Sequence, residues 1–199
     1  MGVTTLKPIK SILAALLIGA TAGCGSTGPS ALYDLTAPRN VGAGERSSSA
    51  QILVPAPVAL QALDTNSIAV AEAGRVYSYY PRVAWADTLP NVFQAKLIET
   101  LENTSKFRGV AQPGQGLLID YQLQTTLRAF EVNVGGGSRA YVEVAARLVN
   151  DRDGRSVQAR VFSAEVPTAS TNTDEAIEAL NAASDVVLRD IADWVLKAV

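Results

Sequence analysis

The chain of 199 residues contains no histidine, and its only cysteine is Cys24. The first absence removes histidine triads, histidine general bases and histidine metal ligands. The second removes intramolecular disulfides and, if Cys24 is otherwise engaged, thiol nucleophiles and thiolate metal sites. Positive charge is also scarce. The formal net charge is −2, and no basic stripe runs along any segment, which argues against a nucleic-acid partner. Long apolar runs are missing too: the one uncharged stretch, residues 11–20, is too short to cross a bilayer comfortably. What remains for chemistry is carboxylates, hydroxyls and arginines.

That short apolar stretch follows Lys7 and Lys10 and leads through Thr21-Ala22-Gly23 to Cys24. A positive leader, an apolar core and small residues make a signal peptide. With the cysteine at its end, the segment resembles the lipobox of bacterial lipoproteins, in which a signal peptidase cuts before a diacylated cysteine; Thr21 stands where leucine is usual. An ordinary secretory signal followed by a stray cysteine is the other reading. The expected organisation is a signal peptide over 1–23, a flexible tether over 24–31 and one domain over 32–199. Without the leader, 15 basic side chains face 19 acidic ones, a net charge of −4. Two or more acyl chains on Cys24 suffice for stable anchoring, and no other cofactor is expected. Gly25-Ser26-Thr27-Gly28-Pro29-Ser30 reads as the tether.

Short strands are expected over 33–35, 51–54, 67–71 and 75–80, with Gly74 turning between the last two. Residues 89–103 read as a helix. Leu89, Val92, Phe93, Leu97 and Leu101 form one apolar face, and Pro90 falls in the first turn. From Leu117 to Ala129 the odd positions are mostly apolar and the even ones polar, the mark of a half-buried strand. The phase shifts at Phe130 and Val132, which predicts a bulge. A strand through Val142, Val144, Ala146 and Leu148 follows, then a turn at Asp151-Arg152-Asp153-Gly154 and a third strand over 155–166. Asn172 with Glu175 resembles a capping box before a long helix. Its buried stripe runs through Ile177, Leu180, Ser184, Val187, Leu188, Ile191, Trp194 and Val195. The expected fold is α+β, a mixed, mainly antiparallel sheet with two helices on one face.

The most unusual composition is Tyr77-Ser78-Tyr79-Tyr80-Pro81-Arg82-Val83-Ala84-Trp85. Tyr, Trp and Arg are enriched where partners bind, which makes Tyr79, Tyr80, Arg82 and Trp85 candidate partner-binding residues. The alternative is that Tyr77, Tyr79 and Trp85 pack the sheet against the first helix. Asp120, Glu131 and Glu143 could neighbour one another on the sheet, as acid–base groups or as an ordinary solvated face paired with Arg128, Arg139 and Arg147. Gly135-Gly136-Gly137 lies between strands and is a hairpin tip, not a phosphate loop.

Several segments converge on one family. They are the lipobox, Tyr33-Asp34-Leu35, Ile52 to Pro57, Val76-Tyr77 with Tyr79-Tyr80, Trp85-Ala86-Asp87-Thr88-Leu89-Pro90, and a closing Ala-rich helix with Trp194. Together they resemble the ABC-type transport auxiliary lipoprotein family, to which the PqiC lipoproteins belong. The resemblance implies a fold similar to the N-terminal domain of TolB and a non-catalytic role. It also implies a partner: an MCE-domain protein with its ABC permease and ATPase, a system moving lipids or other hydrophobic molecules between inner and outer membranes. The lipoprotein would be anchored in the outer membrane rather than the inner, facing the periplasm, as a possible homo-oligomer. A structural outer-membrane assembly or envelope-integrity lipoprotein is the competing reading, and a carboxylate hydrolase a third.

Overall fold

The computed structural model describes residues 2, 28–72, 76–168 and 172–199. The expected signal peptide apart from Gly2, Cys24, most of the expected tether and the expected Gly74 turn lie outside the described residues. In chain order the elements are β1 (Ala31–Tyr33), β2 (Gln51–Leu53), β3 (Val58–Ala59), β4 (Ser67–Glu72), β5 (Val76–Trp85), α1 (Leu89–Asn103), β6 (Gly109–Ala111), β7 (Tyr121–Asn133), β8 (Arg139–Asn150), β9 (Ser156–Pro167) and α2 (Thr173–Ala198).

The sheet is organised around β7. One edge of β7 pairs with β8 along its whole length, and β8 pairs with β9, so these three strands form an antiparallel meander. The other edge is shared end to end by three short parallel neighbours: β2 at Tyr121–Gln122, β3 at Thr126–Leu127 and β4 at Glu131–Asn133. Beyond β4 lie antiparallel β5 and then parallel β1; beyond β2 lies parallel β6. The long ladders are antiparallel, and the parallel pairs are all short. Both helices cover one face. This is the α+β arrangement that the two apolar stripes require.

The expected phase shift in β7 is a bulge. The register slips between Leu127 and Ala129, leaving Arg128 as the extra residue. Before it Leu123 and Leu127 face the helices; after it Phe130 and Val132 do. At the β8–β9 hairpin Gly154 adopts φ 69°, and its N–H donates to the Asn150 carbonyl at 2.9 Å.

Every residue expected on the α1 stripe is buried, and so is every one expected on α2. The cap at Asn172 is real: its side-chain oxygen accepts the Asp174 N–H at 3.1 Å. Trp194 packs edge-on against Phe162, with centroids 5.6 Å apart, and its indole N–H donates to Gln158 Oε1 at 2.9 Å. Lys96 on α1 reaches Asp34 at 2.7 Å and ties the first helix to the chain after β1.

Three expectations are corrected, and two short strands are added. The first strand covers Ala31–Tyr33 rather than 33–35, because parallel pairing with Val83–Trp85 fixes it there. The strand expected from Leu117 begins at Tyr121, and Leu118 is 87 % exposed. Residues 117–120 lead into β7, with Gln51 donating its side-chain amide to the Leu118 carbonyl. The strand expected to end at Tyr80 runs on to Trp85, and β3 and β6 are strands of two and three residues that local patterning does not show. No helix among the described residues is long and apolar enough to cross a membrane.

Candidate functional site

Strand β5 brings the aromatic stretch to the sheet margin, and it does so through a large bulge. Ser67 pairs with Ala84 and Ala69 with Tyr79, so the four residues Tyr80 to Val83 face the single residue Ile68. Two features force this geometry. Pro81 has no N–H to give to a ladder, and Arg82 takes φ 62°, a conformation that L side chains seldom adopt. On its outer side β5 is paired by β1 only over Val83–Trp85, so Val76 to Pro81 form an open edge among the described residues.

The four candidate residues part company here. Trp85 is 1 % exposed, stacks edge-on against Phe130 with centroids 5.8 Å apart, and is fixed by its backbone N–H on the Asn66 carbonyl at 2.7 Å. Its ring belongs to the core and touches no solvent. Tyr80 is half-buried against that core, and burial raises its hydroxyl pKa. Tyr79 is 42 % exposed, on the face away from the helices, and its hydroxyl donates to the Ala62 carbonyl at 3.1 Å. Arg82 projects from the bulge into solvent. Tyr79 and Arg82, with the rim of Tyr80, therefore form the accessible part. Tyr77 lies on the same outer face as Tyr79, so of the three rings expected to pack the sheet, only that of Trp85 turns into the core, against Phe130.

Local sequence gave no sign of Ser30. Its N–H and its hydroxyl both donate to the Arg82 carbonyl, at 2.7 and 2.8 Å. The partners are 52 residues apart in the chain, so only the folded sheet brings them together. This clasp ties the start of the folded body to the aromatic bulge.

The carboxylates also separate. Glu131 and Glu143 share the outer face near Tyr77 and Tyr141, because Glu131 pairs with Tyr141 in register and Glu143 with Ala129. Asp120 lies at the other end of β7, accepting the Gln51 N–H at 3.1 Å and pairing with Arg152 at 3.1 Å. Tyr141 donates to Glu143 at 2.6 Å, and that bond and then burial push its hydroxyl up to about 12. Burial, then the nearby Glu131 charge, pushes Tyr77 up to about 12 as well. Burial raises the Glu131 carboxyl, with a hydrogen bond from Tyr77 opposing it. Both tyrosines are thus neutral at physiological pH and donate within the cluster, Tyr141 to Glu143. Among the described residues, no group of three or more acidic side chains could hold a metal ion.

A family model described as "ABC-type transport auxiliary lipoprotein component" matches residues 33–192. An uncharacterized protein of Bradyrhizobium diazoefficiens is 28 % identical over 177 residues, which are 89 % of this chain and 48 % of that protein. The chain thus spans about half the length of that curated relative. A crystal structure of a Xanthomonas campestris protein superposes with a TM-score of 0.79 at 25 % identity, covering 84 % of this chain and 95 % of that one. The PelC dodecamer of Paraburkholderia phytofirmans, at 12 % identity and a TM-score of 0.51 over 82 % of this chain and 94 % of that one, shares the fold.

Proposed function

Because the chain belongs to the ABC-type transport auxiliary lipoprotein component family, a family of non-catalytic parts rather than enzymes, we propose that it serves as the lipid-anchored accessory of an MCE-type ABC transport system. It docks the periplasmic end of an apparatus that moves lipids or other hydrophobic molecules between the two membranes. The family match over residues 33–192 carries this reading. Residues 1–23 are then a signal peptide, 24–31 a tether and 32–199 the docking domain. Cys24 carries the lipid, in the outer membrane. The partners are an MCE-domain protein and its permease and ATPase.

The open edge of β5 supports a docking role for Tyr79, Tyr80 and Arg82, with Trp85 holding the strand from behind. An exposed strand edge offers unpaired N–H and C=O groups, and Tyr and Arg beside it supply contact area and charge. Assembly into a homo-oligomer belongs to the same proposal and is motivated by the fold shared with a dodecameric protein. Light scattering on the purified chain reads it directly.

The test is cross-linking in intact cells with a tag after Val199, followed by mass spectrometry. Recovery of an MCE-domain protein with its permease is the expected result, with the yield falling in Tyr79→Ala and Arg82→Ala at unchanged melting temperature. Recovery of outer-membrane assembly factors alone, at equal yield of the lipoprotein, replaces this reading with that of an envelope-assembly component.

A further inference from the structure

A half-buried antiparallel sheet normally turns polar side chains to solvent. Across β3, β7, β8 and β9 the face away from the helices departs from this. Val58 pairs with Thr126, Thr126 with Ala145 and Ala145 with Val161, so four small or apolar side chains form a continuous row across four strands. Val58 is 68 % exposed and Val161 45 %. The row floors a groove of about 650 Å³, open to solvent and within the size range of small-molecule sites.

Two arginine side chains stand on this face: Arg147 on β8 and Arg128 at the bulge of β7. Among the described residues no acidic side chain lines the groove itself, and Glu143, beyond Ala145 on β8, is engaged by Arg128. Arg128 is held toward Glu143 at 3.4 Å, whereas Arg160 turns to the helix face, 5.1 Å over the Phe162 ring. Among the described residues the Arg147 guanidinium makes neither an ion pair nor a hydrogen bond, and it is solvent-exposed. It stands two positions along β8 from Ala145, roughly 7 Å at about 3.3 Å per residue. An apolar floor beside a free guanidinium matches an acyl chain with an anionic head.

The geometry points to this groove as a binding site for one anionic phospholipid, its phosphate at Arg147 and an acyl chain over Thr126, Ala145 and Val161. Arg forms charge-assisted, often bidentate, hydrogen bonds to phosphate, while the alanines leave room that larger side chains would fill. The site is separate from the β5 edge. The inference rests on the transport reading for the origin of the lipid, but binding itself is a property of the chain alone.

The experiment uses the full chain in neutral detergent, irradiated with a phosphatidylglycerol that carries a diazirine in one acyl chain; labelled peptides are mapped by mass spectrometry. Label should concentrate on β8 and β9 around Ala145 and Val161. It should fall about ten-fold in Arg147→Ala, the loss expected for one charge-assisted contact, and as strongly in Ala159→Trp, which fills the groove and keeps every charge. Both positions are exposed, so circular dichroism should report an unchanged fold. Retention of label in either folded variant overturns the proposal. Equal labelling by the matching phosphatidylcholine probe also overturns it, and so does complete displacement by inorganic phosphate, which would make the groove an anion site only. Groove labelling without capture of an MCE-domain partner would defeat the transport reading and leave this one standing; capture without labelling would do the reverse.

Discussion

Glu131 is 4 % exposed, and one of its carboxylate oxygens has no hydrogen-bond partner. Burial raises its pKa above the unfolded value, so the folded state resists its ionisation. The sign follows: its contribution is fully favourable below the unfolded pKa, near 4.5, and is lost as pH rises through the higher folded value. Glu131→Gln should therefore stabilise the protein at neutral pH and change nothing at pH 4. Urea titrations at the two pH values check this, and equal shifts at both would refute it. Trp85 makes the opposite case. Trp85→Ala empties a well-packed site against Phe130 and should cost about 3–5 kcal/mol. Its composition, in a stretch rich in Tyr and Arg, looked like a contact surface, and the sequence could not distinguish a ring facing α1 from a ring facing solvent. The difference arises from the four-residue bulge after Tyr79, which resets the alternation of the strand.

Among the elements, those with long apolar periodicity were legible. The stripes of α1 and α2, the alternation of β7 and its bulge, and the Gly154 turn are all where residue spacing puts them. β3 and β6 were not, because two or three residues cannot show a period of two, and each exists only by pairing with β7 or β2. The extension of β5 was hidden by Pro81, which reads as a stop although an edge strand tolerates it. Two predictions belong here. Ending the chain at Asp190 removes Ile191, Trp194 and Val195 from the core and uncovers Phe162, so the melting temperature should fall by well over 10 °C or soluble protein should be lost. Asn172→Ala removes the oxygen that caps α2 and should cost about 1 kcal/mol, read as a shift of the denaturation midpoint at constant slope.

For the whole molecule, the sequence allowed two helices on one face of a sheet. It did not indicate that β7 lends a single edge to three successive partners, since those pairings span from 62 residues at β4 to 69 at β2. The anchor is legible only as pattern. Cys24→Ser should abolish incorporation of radiolabelled palmitate and leave uncleaved precursor, and undiminished label in the variant would defeat the assignment.

If Cys24 is acylated, the clasp between Ser30 and Arg82 decides how the molecule bears load. Five residues lie between Cys24 and Ser30, six Cα steps that reach about 20 Å when taut. A tug on the membrane side enters the body at the rim of the sheet, through two hydrogen bonds to one carbonyl, and next through the three residues of β1. Those two bonds are the first contacts such a tug meets, and the β1 ladder behind them ends on Trp85 itself, so the anchor side of the molecule and its core are joined by one short strand.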